Sequence, residues 1–188
     1  MFQQLELTTT SLHNVVIANE SDILYYEVVT PKWQPHLTTV QKFDPNTRAF
    51  STIAELQNEG ARSPRPIAAR LQGGELRPVD EVVKKGDSET SNPLSWQFTG
   101  KDGRIYRWQT KRRHLELVRD DSTEKPVAVY HRHKRHLFVL RMSRRPYLAI
   151  DSSIMDTLDM VILSFLLAER QRRDSCRHIR QQSVSSSP

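Results

Sequence analysis

The sequence predicts a single β-rich domain that ends in one buried helix. About ten short segments alternate apolar with polar residues between turn residues, which is typical of a β-barrel or a β-sandwich. They are followed by one long segment, residues 154–173, that lacks Pro and Gly and has apolar residues on nearly every face. The length of 188 residues is that of one domain.

The predicted strands are rich in aromatic and β-branched residues and stop at proline, glycine or acidic turns. They cover residues 23–30, 38–43, 50–56, 67–71, 96–99, 105–108, 114–118, 127–130, 136–142 and 147–150. The pair Asp102-Gly103 predicts a hairpin turn, because both residues tolerate positive φ. Residues 78–85 are expected to form a short helical turn.

The long C-terminal segment predicts a core helix over residues 154–173. We expect Ser152 or Ser153 to cap it and Asp156 and Asp159 to lie at its positive end. The arginines among residues 170–173 then fall at its negative end. A membrane span is the competing interpretation, but the unbroken apolar stretch is far shorter than the ~20 residues that a bilayer requires.

The domain is expected to cover residues 20–175. It follows a segment, residues 1–19, that is expected to be partly a strand, and it precedes a polar Ser-rich tail, residues 176–188, expected to be disordered. The single cysteine, Cys176, allows no internal disulfide and is interpreted as a free surface thiol. The N-terminus lacks the basic and apolar regions of a signal peptide, so we expect an intracellular protein of the cytoplasm, with the nucleus as alternative.

The net charge of +6 is unevenly distributed along the chain. Residues 1–60 contain three Lys/Arg and seven Asp/Glu, whereas residues 104–145 contain thirteen Lys/Arg and four Asp/Glu. This asymmetry indicates an anionic partner, either phospholipid headgroups or nucleic acid. The alternative is that the charges only solvate a sheet face.

Three motifs resemble a basidiomycete fungal family of unknown function, and the resemblance extends over about residues 20–175. The first is Leu-Tyr-Tyr-Glu-Val-Val-Thr-Pro at residues 24–31, and the second runs from Phe98 to Trp108. The third covers residues 155–163 and continues into Glu-Arg-Gln-Arg-Arg at residues 169–173.

The order of many strands before one hydrophobic helix resembles the Tubby-like superfamily, which includes the Tubby C-terminal domain, LURP-one-related proteins and phospholipid scramblases. The resemblance implies a closed antiparallel β-barrel of about ten to twelve short strands around the helix. A closed barrel would satisfy every strand edge, and an all-round apolar helix would fill its bore. Tubby domains bind phosphoinositides through a basic pocket, but that pocket has no residue-by-residue match here, and the palmitoylated cysteine cluster of the scramblases is absent.

The candidate site is a set of basic residues at predicted strand ends, which are expected to converge on one rim. The set consists of Lys111, Arg112, Arg113, Arg132, Lys134, Arg135, Arg144 and Arg145. Guanidinium groups bind phosphate in a bidentate manner. We therefore expect a peripheral, non-enzymatic module that binds phosphate headgroups such as those of phosphoinositides. A protein-interaction scaffold without a small ligand and non-specific nucleic-acid binding are the alternatives.

Other chemistries have weaker support in the sequence. His131, His133 and His136 offer imidazoles for a metal, but the basic residues among them oppose a dication. Aromatic residues of the 96–108 hairpin lie beside arginines, as on a nucleic-acid stacking surface, although their alternation favours core packing. No phosphate loop, nucleophile elbow, dinucleotide fingerprint or zinc-protease helix is present, so neither catalysis nor a cofactor is expected.

Overall fold

The computed structural model describes residues 1–60, 65–85, 95–111, 114–121, 125–132 and 145–185. The side chains of Lys85 and of residues 176–185 are not described. The predicted strand at residues 136–142 lies outside the described residues.

The described chain forms one antiparallel sheet of thirteen strands. The strands are β1 Phe2–Leu7, β2 Val15–Ala18, β3 Tyr25–Val29, β4 Leu37–Asp44, β5 Ala49–Asn58, β6 Pro66–Leu71, β7 Leu76–Pro78, β8 Lys84–Lys85, β9 Ser95–Thr99, β10 Ile105–Lys111, β11 His114–Arg119, β12 Ala128–His131 and β13 Tyr147–Asp151. Their order across the sheet is β7-β6-β5-β4-β3-β2-β1-β13-β12-β11-β10-β9-β8. Nearly every strand therefore pairs with its neighbour in sequence, and β1 joins the two halves by pairing with β13.

The prediction of a closed barrel is wrong, because the sheet is open between β7 and β8. These edge strands follow each other in the chain, and within the described residues no pairing joins them. A short helix, α1 Val79–Val82, lies between them and contacts both. Val83 N donates to Val79 O at 2.8 Å, a hydrogen bond within the helical turn, so this segment forms no hydrogen-bonded pair with either edge strand. The helical turn expected at residues 78–85 is confirmed only for Val79–Val82, because Pro78 ends β7 and Lys84–Lys85 form β8.

The inner face of the sheet surrounds the second helix, α2 Leu158–Ser185. Ten consecutive residues of this helix, 161–170, are all buried. Tyr26 on β3 and Trp108 on β10 both hydrogen-bond to it, the first to Asp159 at 2.7 Å and the second to Ser164 at 2.9 Å. Since these strands lie far apart in the sheet, the sheet must curve around the helix, and the predicted buried core helix is confirmed.

The helix differs from its prediction at both ends. Asp151, not Ser152 or Ser153, provides the N-terminal cap. Its carboxylate accepts a hydrogen bond from Ser153 N at 2.9 Å, at the start of the 3-10 helix that precedes α2. The helix also continues twelve residues beyond Arg173, to Ser185. No Pro or Gly interrupts that stretch, so nothing in the backbone ends the helix where the apolar pattern ends.

The hairpin between β9 and β10 has the predicted turn. Gly103 has a φ of 74°, and the Asp102 carboxylate accepts hydrogen bonds from Arg104 N at 3.1 Å and from the Tyr106 hydroxyl at 2.7 Å. Burial and the Asp102 contact raise the pKa of the Tyr106 hydroxyl to about 12, so it stays protonated as a donor. Asp102 is therefore a turn residue, as its sequence context indicates.

Pairing register places alternate chain reversals at opposite rims of the sheet. We call one the exit rim, because α2 leaves the sheet there: Arg173 Nη1 donates to Thr10 O at 2.5 Å, in the loop 8–14 between β1 and β2. The loop 30–36 between β3 and β4 lies at the same rim, since Thr30 N donates to Asn14 Oδ1 at 3.0 Å. The opposite rim holds the start of α2, where Lys42 pairs with Asp159 at 3.0 Å.

Leu163→Asp tests whether the helix is enclosed. Leu163 has no exposed surface, so the substitution buries an unpaired carboxylate, at a cost of several kcal/mol. That cost is comparable with the ~5–15 kcal/mol total stability of a domain, so we expect cooperative thermal melting to disappear. Leu163→Met, which preserves volume and polarity, is the control. A soluble Leu163→Asp protein that melts cooperatively would contradict an enclosed helix.

Gly100→Ala tests the packing of the hairpin turn against the start of the helical segment. A Cβ at Gly100 would lie 2.7 Å from Tyr106 Cε2 and 2.8 Å from Thr157 Cγ2. We expect a loss of about 1–3 kcal/mol in the free energy of unfolding, measured by urea denaturation. Gly60→Ala is the matched control, because a Cβ there meets no atom of the described residues within 4 Å. Equal free energies of unfolding for the two variants would show that the hairpin turn accommodates the added methyl group without loss of stability.

Candidate functional site

Three of the predicted basic residues lie in the described structure, and the strand register places all three at the exit rim. Lys111 ends β10, Arg132 follows β12, and Arg145 precedes β13. The other five predicted residues lie outside the described residues: Arg112, Arg113, Lys134, Arg135 and Arg144. Lys111, Arg132 and Arg145 therefore share one rim, but their side chains do not form one cluster.

One of the three side chains is paired with an acidic residue, and a second lines a groove that also has acidic residues in its walls. Lys111 Nζ pairs with Glu116 at 3.2 Å. Arg145 lines an outer groove of about 1050 Å³ over β1 and β2, whose walls also include Glu6 and Glu20. Arg132 differs, because it is exposed and its charge acts on the Glu169 carboxyl of α2.

A buried charge cluster occupies α2 where it reaches the exit rim. Glu169 has no exposed surface and accepts hydrogen bonds from Arg172 Nε at 2.6 Å and from Arg173 Nε at 2.8 Å. Burial raises the pKa of the Glu169 carboxyl, and the positive charges of Arg173 and Arg132 oppose that rise. One carboxylate thus faces two guanidinium groups, which leaves the cluster positively charged.

Arg170 adds a further buried cation to this end of the helix. Its side chain is only 4% exposed, and Nη2 donates to the carbonyl oxygen of Leu12. Nε and Nη1, which carry three of its five N–H donors, have no hydrogen-bond partner among the described residues. Burial lowers the pKa of Arg170 to about 10, while the charge of Asp174 opposes the shift, so the group is still protonated at neutral pH.

Arg170 borders a cavity of about 340 Å³ at the exit rim, which we call the helix-exit pocket. Its walls come from the loop 8–14 and from one face of α2: Thr10, Ser11, Leu12, His13, Arg170, Arg173 and Asp174. The loop is held in shape by its own hydrogen bonds, from Thr9 Oγ1 to Asn14 O at 3.2 Å and from His13 N to Ser11 Oγ at 3.2 Å. The pocket therefore combines two guanidinium groups and two hydroxyl groups with one carboxylate.

His131 is the one described residue among the three histidine candidates, and it lies in the sheet beside other aromatic rings. His131 stacks on Tyr147 with ring centroids 4.5 Å apart and meets His114 of β11 edge-on at 5.3 Å. His133 and His136 lie outside the described residues. Within the part of the chain that the structure describes, no group of three or more His, Cys, Asp or Glu side chains could hold a metal ion.

The large aromatic side chains of the β9–β10 hairpin are part of the core. Trp96, Phe98, Tyr106 and Trp108 are all buried, so they offer no stacking surface to a nucleic acid, and the core packing that the alternation favours is confirmed. The side chain of Cys176 lies outside the described part of α2.

Sequence reasoning missed the role of Arg170, which it treated as a favourable charge at a helix end. The available signal was its position directly after a helix segment that is apolar on every face. If residues 161–168 are surrounded by the sheet, the next turn of the helix is still inside or at its rim. Charged residues there, in Glu-Arg-Gln-Arg-Arg at 169–173, had to find partners or ligands.

Comparison with known protein families gives one match, which covers most of the chain. Residues 10–174 match the family of unknown function DUF6593. The chain belongs to this family. The matched span begins at Thr10 and ends at Asp174, so it contains the complete lining of the helix-exit pocket. No curated protein and no solved structure matches this member of the DUF6593 family.

A helix must be both long and apolar to cross a bilayer. Among the described residues, neither helix combines the length and the apolar character needed for a transmembrane span.

Glu169→Ala tests the buried charge cluster. The substitution leaves Arg172 and Arg173 without their counter-charge, and removing one partner of a buried pair typically costs about 3–5 kcal/mol. Urea denaturation should show that loss in the free energy of unfolding. The control is Glu116→Ala, whose partner Lys111 is exposed and whose loss should be at most about 1 kcal/mol. Similar losses for both variants would show that Glu169 has no special role.

Proposed function

We propose that this protein is a non-enzymatic module that binds phosphate groups at the exit rim, and that phosphoinositide headgroups are its ligand class. The observation that carries the proposal is Arg170, a buried cation with two unpartnered guanidinium nitrogens at the edge of a cavity. Buried N–H donors without acceptors are costly, and an anion in the helix-exit pocket would supply acceptors for them.

The pocket has the donors that a phosphate group requires. The guanidinium of Arg170 offers N–H groups in a fixed planar arrangement that matches phosphate oxygens. Thr10 and Ser11 bring hydroxyl groups, and Arg173 adds a second positive charge. Asp174 opposes an anion, which favours a ligand that approaches from the Arg170 side of the pocket.

The surrounding rim supports a membrane-borne ligand. Arg132 lies exposed beside the cluster, within a segment, residues 104–145, that has nine more basic than acidic residues. Each basic residue close to an anionic leaflet contributes ~1 kcal/mol to binding. The proposal depends on these residues and not on the likeness to Tubby domains, since the sheet is not a closed barrel. The motif resemblance supports a fungal source as a further expectation.

Binding of inositol trisphosphate, measured by isothermal titration calorimetry at ~150 mM salt, tests the pocket directly. We expect Arg170→Met to weaken binding at least tenfold, or about 1.4 kcal/mol, because it removes the charge and keeps the buried stem. Arg48→Met, in the exposed β4–β5 turn at the opposite rim, is the matched control and should bind like the parent protein. Equal affinity of the Arg170→Met variant and the parent protein would refute the pocket.

The same preparation separates the alternative functions. A phosphoinositide binder sediments with phosphoinositide vesicles and not with neutral ones, and it loses this ability when Arg112, Arg113, Arg132 and Arg135 become Glu. A nucleic-acid binder would instead show affinity for RNA or DNA that falls steeply with salt. A protein-interaction scaffold would bind neither vesicles nor nucleic acid.

A further inference from the structure

We infer that the exit rim docks onto the surface of an anionic bilayer and that Trp33 enters the interfacial region of the lipid. The inference rests on the proposed function, to which it adds a second, apolar contact and an orientation. Three observations support it: Trp33 is exposed, its loop is held by hydrogen bonds, and the loop lies next to the helix-exit pocket.

Trp33 is unusual among the three tryptophans of the chain. Its side chain is 87% exposed, whereas Trp96 and Trp108 are 1% and 0% exposed. Tryptophan has a large apolar ring with a polar N–H, and it is enriched at membrane–water interfaces for that reason. Its neighbour Lys32 is also exposed and adds a positive charge beside the ring.

The loop 30–36 presents Trp33 in a fixed conformation. Gln34 N donates to Pro31 O at 3.0 Å, and Asn58 Nδ2 on β5 donates to Pro35 O at 3.0 Å. The hydroxyl groups of Thr30 and Thr38 hydrogen-bond across the base of the loop at 2.7 Å. A loop that is already ordered loses little conformational entropy on binding, so more of the contact energy of Trp33 is available for affinity.

The Trp33 loop and the helix-exit pocket are physically connected. Thr30 Oγ1 donates to His13 O at 3.0 Å, and His13 is part of the pocket wall. Arg132 and the α2 arginines lie at the same rim. A surface that presents cations, a phosphate pocket and one projecting indole is complementary to an anionic headgroup layer.

A bilayer fits this surface better than a protein partner does. A stable protein interface buries about 800 Å² on each side and has a contiguous apolar centre. Within the described loop 30–36, Trp33 is instead one projecting ring beside the exposed polar residues Lys32 and His36. A bilayer requires no contiguous apolar patch, because a weak apolar contact and a nearby set of cations together can anchor a protein at its surface.

Quenching of tryptophan fluorescence by brominated lipid in phosphoinositide vesicles tests the inference. Because Trp96 and Trp108 are buried in the core, quenching at the vesicle surface should come from Trp33. We expect quenching that saturates with lipid, and a loss of about tenfold in vesicle affinity for Trp33→Ala, the effect of losing one large buried side chain. Ile23→Ala removes another exposed apolar side chain, before β3 at the opposite rim, and should leave affinity unchanged.

The calorimetric measurement with inositol trisphosphate distinguishes the two proposals. Trp33→Ala should bind this soluble ligand like the parent protein, because Trp33 does not line the pocket. Binding of the soluble ligand without quenching, or with unchanged vesicle affinity for Trp33→Ala, would overturn bilayer docking and leave the phosphate site standing. Absence of binding to both the soluble ligand and the vesicles would overturn the proposed function and the docking together.

Discussion

Enclosure of α2 is the constraint on which the other features of this protein depend. Ten consecutive helix residues, 161–170, are buried, so apolar surface has to be supplied on every side of the helix. Thirteen strands in largely sequential order supply it by curving around the helix, and α1 covers the gap between the two edge strands. Inside this enclosure each polar group needs a partner, which explains why Trp108 donates to Ser164 and why Tyr26 and Lys42 both contact Asp159.

The same constraint concentrates charge where the helix leaves the sheet. At the opposite rim the Asp159 carboxylate accepts hydrogen bonds from Tyr26 and Lys42. Burial, together with this carboxylate, raises the pKa of the Tyr26 hydroxyl. At the exit rim, Glu169 neutralises only part of the arginine charge, and Arg170 keeps two nitrogens without partners in the described structure. Donors remain without partners there because the helix continues beyond the end of the sheet, whose strands supply the partners farther inside.

The sequence was informative where a local rule decides the structure. The Asp102-Gly103 turn, the alternation of the β9–β10 hairpin and the all-round apolar character of residues 161–168 were each sufficient for their element. Whether the sheet closes was not predictable in this way, because closure depends on whether the two edge strands pair. In the described structure they do not pair, and α1 lies between them. The pocket was equally hidden: Arg170 looks like a helix-end charge until the loop 8–14, distant in sequence, is placed against it.

The most direct test of a phosphate site at the helix exit is the side-chain NMR signal of Arg170 itself. Its Nε–Hε resonance can be assigned by its absence from the Arg170→Met spectrum and then followed while inorganic phosphate is added. If phosphate binds at the helix exit, this resonance should shift and saturate, because Nε is one of the two unpartnered nitrogens, whereas Arg48 at the opposite rim should show no comparable shift. An Arg170 resonance that moves no more than that of Arg48 throughout the titration would contradict a phosphate site there.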